Sequence, residues 1–259
     1  MASLVMLSAA VLLGLLLPSS MADRNVLYGG EKLRTDEFLA EGDYIFVMQS
    51  DCNLVLYEKE QALWSSETNG LGSRCFARMQ TDGNFIIFND RANKVWESRT
   101  RQTEGEFILV LQRDGHVVIY ADPIFTVPEV EPNNRKMATV TNNHILYADD
   151  KLNNGESLTK GEFTFIMQSD CNLVLYDNDK EMWSSASNGL GNNCVAHLQT
   201  NGDLVILSDN GNVVWSSNTS HQEGEFILVL QRDGKVVIYS RALWNIPKPE
   251  PRNRKIAIN

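Results

Sequence analysis

The chain repeats itself, and that restricts its fold more than any other feature. Residues 25–120 align without a gap on residues 144–239 at an offset of 119, with roughly half of the positions identical. NVLYGGEKL returns as HILYADDKL, VMQSDCNLVLY as IMQSDCNLVLY, NGLGSRC as NGLGNNC, and EGEFILVLQRDG occurs twice unchanged. Such self-similarity decides the architecture before any motif is interpreted, and it reads as a duplicated domain. The offset also carries VPEVEPNNRKMA (127–138) onto IPKPEPRNRKIA (246–257). The connector and the tail are therefore expected to be copies of one Pro-rich, charged appendage outside the core.

A finer repeat lies inside each copy. QSDCNLVLY at 49, QTDGNFIIF at 80 and QRDGHVVIY at 112 are spaced by 31 and 32 residues. QSDCNLVLY at 168, QTNGDLVIL at 199 and QRDGKVVIY at 231 keep the same steps. We number these nonapeptides units 1 to 6. Short runs of Val, Ile, Leu, Phe and Tyr alternate with Asp-Gly, Asn-Gly or Glu-Gly, which are hairpin signals, and no 3.6-residue period is sustained. The expectation is an all-β chain with three small sheets per copy. With 43% hydrophobic and 22% charged residues the composition is globular. A net charge of -10 without a run of five like charges argues against a nucleic-acid footprint or an electrostatic membrane anchor, and favours neutral or cationic partners.

Residues 3–17 form an apolar run, followed by Pro18 and the small-x-small triplet Ser20-Met21-Ala22. The run is short for a bilayer span, so residues 1–22 read as a signal peptide cut near Ala22, although no Lys or Arg precedes the run. The mature chain is then expected in the secretory pathway, extracellular or vacuolar, where disulfides form. Cys52 and Cys75 are 23 residues apart, as are Cys171 and Cys194. One disulfide inside each copy is the economical pairing, since each copy must fold with what it carries. The competing readings are four free buried thiols and a zinc site, the latter lacking a His at ligand spacing. His116, His144, His197 and His221 are scattered and read as surface or turn residues.

If unit 1 were a continuous strand, Gln49, Asp51, Asn53, Val55 and Tyr57 would share one face, with Ser50, Cys52, Leu54 and Leu56 on the other. Burying such a polar row without partners costs about 1–3 kcal/mol per group, so it must meet water, another sheet or a ligand. A sugar would satisfy it without a metal or cofactor. The carboxylate and amide oxygens accept from hydroxyls, the amide nitrogens donate to them, the phenol does either, and Val55 offers a patch to the C–H side of the ring. A polar ladder that only solvates the face is the alternative.

These residues resemble the monocot mannose-binding, or bulb-type, lectins. Q-x-D-x-N-x-V-x-Y in triplicate, W-S-S segments and one disulfide per domain carry the resemblance, which covers nearly all of 25–245 and extends to that family's two-domain precursors. It implies two tandem β-prism II domains, each of three four-stranded antiparallel sheets around a pseudo-threefold axis. The expected limits are 1–22 signal peptide, 23–126 first domain, 127–143 linker, 144–245 second domain and 246–259 tail, the linker and tail open to processing. The resemblance also implies that Asp51 and Asn53 hold the axial 2-hydroxyl of mannose, Gln49 the 3-hydroxyl and Tyr57 the 4-hydroxyl, with Val55 against the ring carbons. Gln168, Asp170, Asn172, Val174 and Tyr176 take the same roles.

The other units depart from the pattern. Gln80, Asp82 and Asn84 are intact, but Ile86 and Phe88 replace Val and Tyr, so unit 2 is expected to be weak. His116 and Lys235 replace the Asn of units 3 and 6, which makes both doubtful. Unit 5 has Asn201, Asp203 and Leu207 and is expected to be inactive. Trp64, Trp96, Trp183, Trp215 and Trp244, with Phe125 in the sixth equivalent place, read as core. Asn218 heads the single N-x-[ST] sequon, a glycosylation candidate.

The functional expectation is a secreted lectin for mannose or oligomannose glycans and glycoproteins, agglutinating by multivalency as a dimer or tetramer of processed subunits, with a defence role. A glycosidase pairing Asp51 with Asp82 or Asp114 is disfavoured because the motifs fall on separate sheets. A storage or structural protein that has largely lost sugar binding is the other alternative.

Overall fold

The structure is a computed structural model, and it describes residues 24–103, 105–128, 143–221 and 224–247. The expected signal peptide lies outside them, as do most of the linker (129–142) and of the tail (248–259). The described residues hold 22 β-strands. Both expected disulfides are formed, Cys52–Cys75 and Cys171–Cys194. Each closes a loop of about 20 residues, which the chain-entropy picture values at about 3 kcal/mol.

Four sheets are four-stranded and antiparallel, one for each of units 1, 2, 4 and 5; those of units 1 and 4 are meanders, whereas those of units 2 and 5 start from a strand, Lys32–Arg34 or Lys151–Leu152, that precedes the whole neighbouring sheet in sequence. Unit 1, for example, lies in Phe38–Glu41, Tyr44–Met48, Leu54–Glu58 and Gln61–Ser65. In each such sheet one face points to the middle of a three-sheet prism: Leu54 and Leu56 are fully buried there, as are Ala77, Met79 and Ile87 from the sheet of unit 2. Trp64, Trp96 and Trp244 meet at the centre of the first prism with ring centroids 5.7–6.0 Å apart. Phe125, Trp183 and Trp215 do so in the second at 5.7–6.3 Å. The aromatics are therefore core, as expected.

The third sheet of each prism is shared. Val117–Val127 and Val236–Ile246 pair antiparallel along their length, from Val117 opposite Ile246 to Val127 opposite Val236. Together with Val26–Tyr28, Ile108–Leu111, Ile145–Tyr147 and Ile227–Leu230 they form one six-stranded sheet. Each long strand starts in its own prism and ends in the other. Leu243, Trp244 and Ile246 thereby join the core of the first copy, and Ile124, Phe125 and Val127 that of the second. Val127 and Ile246, which open the two appendages, are thus buried strand residues rather than segments outside the core. Between the halves of this sheet a third cluster forms from Val26, Ile108, Val110, Val118 and Tyr120 with their counterparts Ile145, Ile227, Val229, Val237 and Tyr239. Arg113 caps it at one end, 4.5 Å over the Tyr147 ring and 2.8 Å from Asp150, and Arg232 stacks over Tyr28 beside Glu31 at the other. Burial here pushes the phenols of Tyr28, Tyr120, Tyr147 and Tyr239 well above the usual tyrosine range.

His144 departs from expectation. It is fully buried with Nε2 3.2 Å from Lys160 Nζ, whereas the first copy places Asn25 and Glu41 at the same two positions, joined at 2.7 Å.

Two outcomes follow from the crossed strands. Cutting the chain between 128 and 143 should leave two fragments that co-elute in native gel filtration and part only in denaturant. Trp244→Ala should destabilise by about 3–5 kcal/mol in chemical unfolding, the usual range for a large aromatic in a core. The lost packing is in the first copy, although the residue belongs to the second.

Candidate functional site

Each nonapeptide is a turn followed by a strand. In unit 1 the Gln49 N–H donates to Asn53 O at 2.8 Å and the Cys52 N–H to Gln49 O at 3.2 Å, closing the hairpin between Tyr44–Met48 and Leu54–Glu58. The same two bonds recur in all six units. The fourth residue is always left-handed: Cys52, Gly83, Gly115, Cys171, Gly202 and Gly234 have φ of 74°, 80°, 84°, 72°, 83° and 86°. Glycine is at ease there, and the two cysteines are held by their disulfides. The expected strand alternation of Gln49, Asp51 and Asn53 is therefore corrected. It holds only from Leu54 onward, and the turn gathers the polar residues instead.

The turn also explains the third residue. In every unit its side-chain oxygen accepts the N–H of the fifth residue, at 2.9–3.1 Å. Asp51 and Asp170 are turn-formers first, each keeping a second carboxylate oxygen with no partner among the described residues. Gln49 Nε2 donates to the Tyr57 hydroxyl at 3.0 Å and Gln168 Nε2 to that of Tyr176 at 2.9 Å, which leaves both phenol protons to give.

The fifth residue separates the units. Asn53 is buried, and its Oδ1 accepts from Ser66 Oγ at 3.1 Å and Thr68 N at 3.2 Å. Asn172 Oδ1 accepts from Ser185 Oγ at 3.1 Å and Ser187 N at 3.2 Å. A backbone N–H must meet an oxygen, so these bonds fix which way each amide points. Nδ2 is turned away from these bonds, with no partner among the described residues. Gln49 Oε1 is buried and also without a partner among the described residues. Around Val55 and Val174 the outer face thus presents an amide donor, a carboxylate acceptor and a phenol proton, with an unpaired amide acceptor at unit 1. Hydroxyls, which both donate and accept, complement such a set. Among the described residues no three of His, Cys, Asp and Glu group as a metal site.

The remaining units are closed, each for its own reason. In unit 2 the Asn84 amide donates to Glu97 at 2.9 Å, and the free oxygen of Asp82 pairs with Arg101 at 2.9 Å. Lys94 grips the same Glu97 at 2.6 Å, and with Asn84 holds its carboxyl below the usual range. Unit 2 thus loses more than the phenol. In unit 5 the Asp203 carboxylate is filled by Ser216 Oγ, Ser217 Oγ and Thr219 N, the first two at 2.8–2.9 Å. Units 3 and 6 fail by burial. Their outer residues Val118, Tyr120, Val237 and Tyr239 form the cluster between the prisms, so His116 and Lys235 are secondary. Ser66, Thr68, Ser185 and Ser187, which orient the two asparagines, went unremarked at the level of sequence, although they sit in and beside the W-S-S segments. Asn218 is exposed, and its amide donates to Ser216 O at 3.2 Å.

No protein-family model matches the chain. The mannose-specific lectin 2 of Colocasia esculenta is 35% identical over 211 residues, 80% of this chain and 79% of that one. The mannose-specific lectin TAR1 of the same plant is 35% identical over 212 residues, covering 80% and 90%. The chain belongs to the monocot mannose-specific lectins. Among solved structures, the native fetuin-binding agglutinin of Scilla campanulata, a two-domain lectin, superposes with a TM-score of 0.79 at 32% identity, over 86% of this chain and 99% of that one. The likeness supports a two-domain β-prism II, and places the chain among lectins, sugar-binding proteins that do no chemistry on the sugar.

The buried role of Asn53 changes what a substitution should do in this lectin fold. Asn53→Ala strips two internal bonds and should cost about 1–3 kcal/mol. Asn53→Asp keeps the acceptor, as Asp203 does naturally in unit 5, and should leave the melting temperature nearly unchanged. Calorimetry on the two variants checks this.

Proposed function

We propose that the chain is a metal-independent mannose-binding lectin whose working sites are units 1 and 4. The observation that supports this best is the Nδ2 of Asn53 and of Asn172, unpartnered among the described residues and found where the amides of the other units are filled, replaced or buried. In each working site Nδ2 donates to a hydroxyl, and the second oxygen of Asp51 or Asp170 accepts that hydroxyl's proton. Mannose differs from glucose at the 2-hydroxyl alone, so a site built on this pair leaves its polar groups unpaired when the axial hydroxyl is missing. Tyr57 and Tyr176 serve the 4-hydroxyl, Gln49 and Gln168 the 3-hydroxyl, and Val55 and Val174 the ring carbons. The names of the relatives point to the same sugar.

One shallow site offers few contacts, so useful avidity comes from several sites acting together. Units 1 and 4 lie on different prisms, which lets one chain bridge two glycans and agglutinate. Passage through the secretory pathway to the cell exterior or vacuole, processing in 129–142 and 248–259, assembly into dimers or tetramers of processed subunits, and a defence role complete the proposal.

The test is calorimetric titration with methyl α-mannoside. The native chain should bind at two sites, Asn53→Asp at one, and the double variant Asn53→Asp with Asn172→Asp at none, all with intact melting transitions. Asn84→Ala should change nothing. Glucose should inhibit agglutination far less than mannose, and equal inhibition would overturn the assignment of the 2-hydroxyl. A folded chain that binds no mannoside would favour the storage or structural alternative.

A further inference from the structure

The outer faces of the four open sheets differ sharply in charge. Register makes their positions comparable: Lys32 pairs with Arg78, Arg34 with Phe76, Arg78 with Ile86, and Phe88 with Lys94, all on the outer face of the unit 2 sheet. The corresponding unit 1 positions hold Phe38, Val47, Ala40, Ile45, Val55, Tyr57 and Ala62, with no charge among them. In unit 5 the matching cations are Lys151 and His197, and the latter is bonded to Asp149. Only the unit 2 sheet carries four cations on this face, in a chain whose net charge is -10.

Their surroundings leave much of that charge uncompensated. Arg34 pairs with Glu37 and Lys94 with Glu97, but neither Lys32 nor Arg78 has an ion pair among the described residues. Lys32 and Arg78 stand directly opposite each other across the strands, an arrangement that destabilises a sheet unless an anion lies between. Beside them Phe76 and Phe88 stack at 5.5 Å between centroids, half exposed, with Lys32 Nζ 5.0 Å over the Phe76 ring. At the edge strand an open groove of about 470 Å³ is lined by Lys94, Val95, Trp96, Glu97 and Arg99, so that Arg99 is the one cation it adds. An apolar ring platform framed by unpaired cations matches the C–H face of a sugar that also bears negative groups.

We propose that the outer face of the unit 2 sheet binds acidic polysaccharide, a sugar chain carrying carboxylate or sulfate groups, at a site separate from the two mannose sites. The anionic groups lie between Lys32 and Arg78, and a sugar ring packs on Phe76 and Phe88. The filled amide of Asn84 and the paired Asp82 fit this reading, because a face that has given up hydroxyl recognition presents charge and aromatic surface instead.

The experiment is surface plasmon resonance of the full chain over immobilised polygalacturonate, heparin, polyglutamate, duplex DNA and dextran. Binding to one or both acidic glycans is expected, with a steep fall as salt rises and the Debye length shortens from about 10 Å at 0.1 M to about 3 Å at 1 M. Whether polygalacturonate or heparin binds more tightly tells carboxylate from sulfate. Lys32→Ala with Arg78→Ala should weaken that binding at least tenfold, while Lys151→Ala at the matching unit 5 position leaves it unchanged. Phe88→Leu, the residue unit 5 carries at Leu207, should weaken glycan binding several-fold and leave any residual polyglutamate binding alone. The double variant at Asn53 and Asn172 should bind acidic glycans as the native chain does, so failure of the mannose assignment would not be mistaken for failure here. Absence of binding to both acidic glycans, equal binding to polyglutamate or DNA, or indifference to the Lys32 and Arg78 changes in a variant that still binds mannoside would overturn the proposal.

Discussion

The antiparallel pairing of Val117–Val127 with Val236–Ile246 sets the terms for everything else. Neither prism can close its third sheet or complete its aromatic centre without the far half of the other copy's strand. The same pairing brings the outer faces of units 3 and 6 together, where Tyr120 and Tyr239 keep their hydrogen bonds to Gln112 and Gln231 but serve as packing. Four units are left facing outward. Which of these can accept a ligand is then decided by single atoms on a common scaffold.

That scaffold explains why the motif says less about function than its repetition suggests. The Gln backbone, the third-position carboxylate or amide and the left-handed fourth residue are needed to turn the chain, so they recur in buried and exposed units alike. What unit 1 holds beyond the needs of the turn shrinks to one amide nitrogen, one carboxylate oxygen, one phenol proton and the carbonyl of Gln49. Glu97 and Arg101 show how little it takes to fill these positions from within the chain.

The repeat offsets made the fold class, the six units, the disulfides and the aromatic centres legible, because each is a regularity in one dimension. The nonapeptide residues were legible as a pattern, but the geometry that holds them was not. Period-two alternation put Gln49, Asp51 and Asn53 on a strand, since turn chemistry and strand chemistry both use this pattern until the sign of φ at Cys52 is known. The burial of Asn53, the partners Ser66 and Thr68, and the Lys160 beside His144 depend on contacts between segments 13 or more residues apart. The distribution of charge was hidden for a related reason. Lys32, Arg34, Arg78 and Lys94 are dispersed along the chain within a net negative total, and only the register collects them on one face.

The exchange of strands also binds the history of the two copies together. Residues 241–246 are encoded in the second copy but packed in the first, and residues 122–127 the reverse. A duplicated domain is ordinarily free to drift, because its twin preserves the old role. Here a change at Leu243 or Ile124 is judged by the neighbour's interior. Neither copy can be deleted, swapped for a foreign one or allowed to decay without hollowing out the other, so a buried exchange such as Asn25 and Glu41 for His144 and Lys160 is made within one interior, while the outward faces of units 1, 2, 4 and 5 differ more freely.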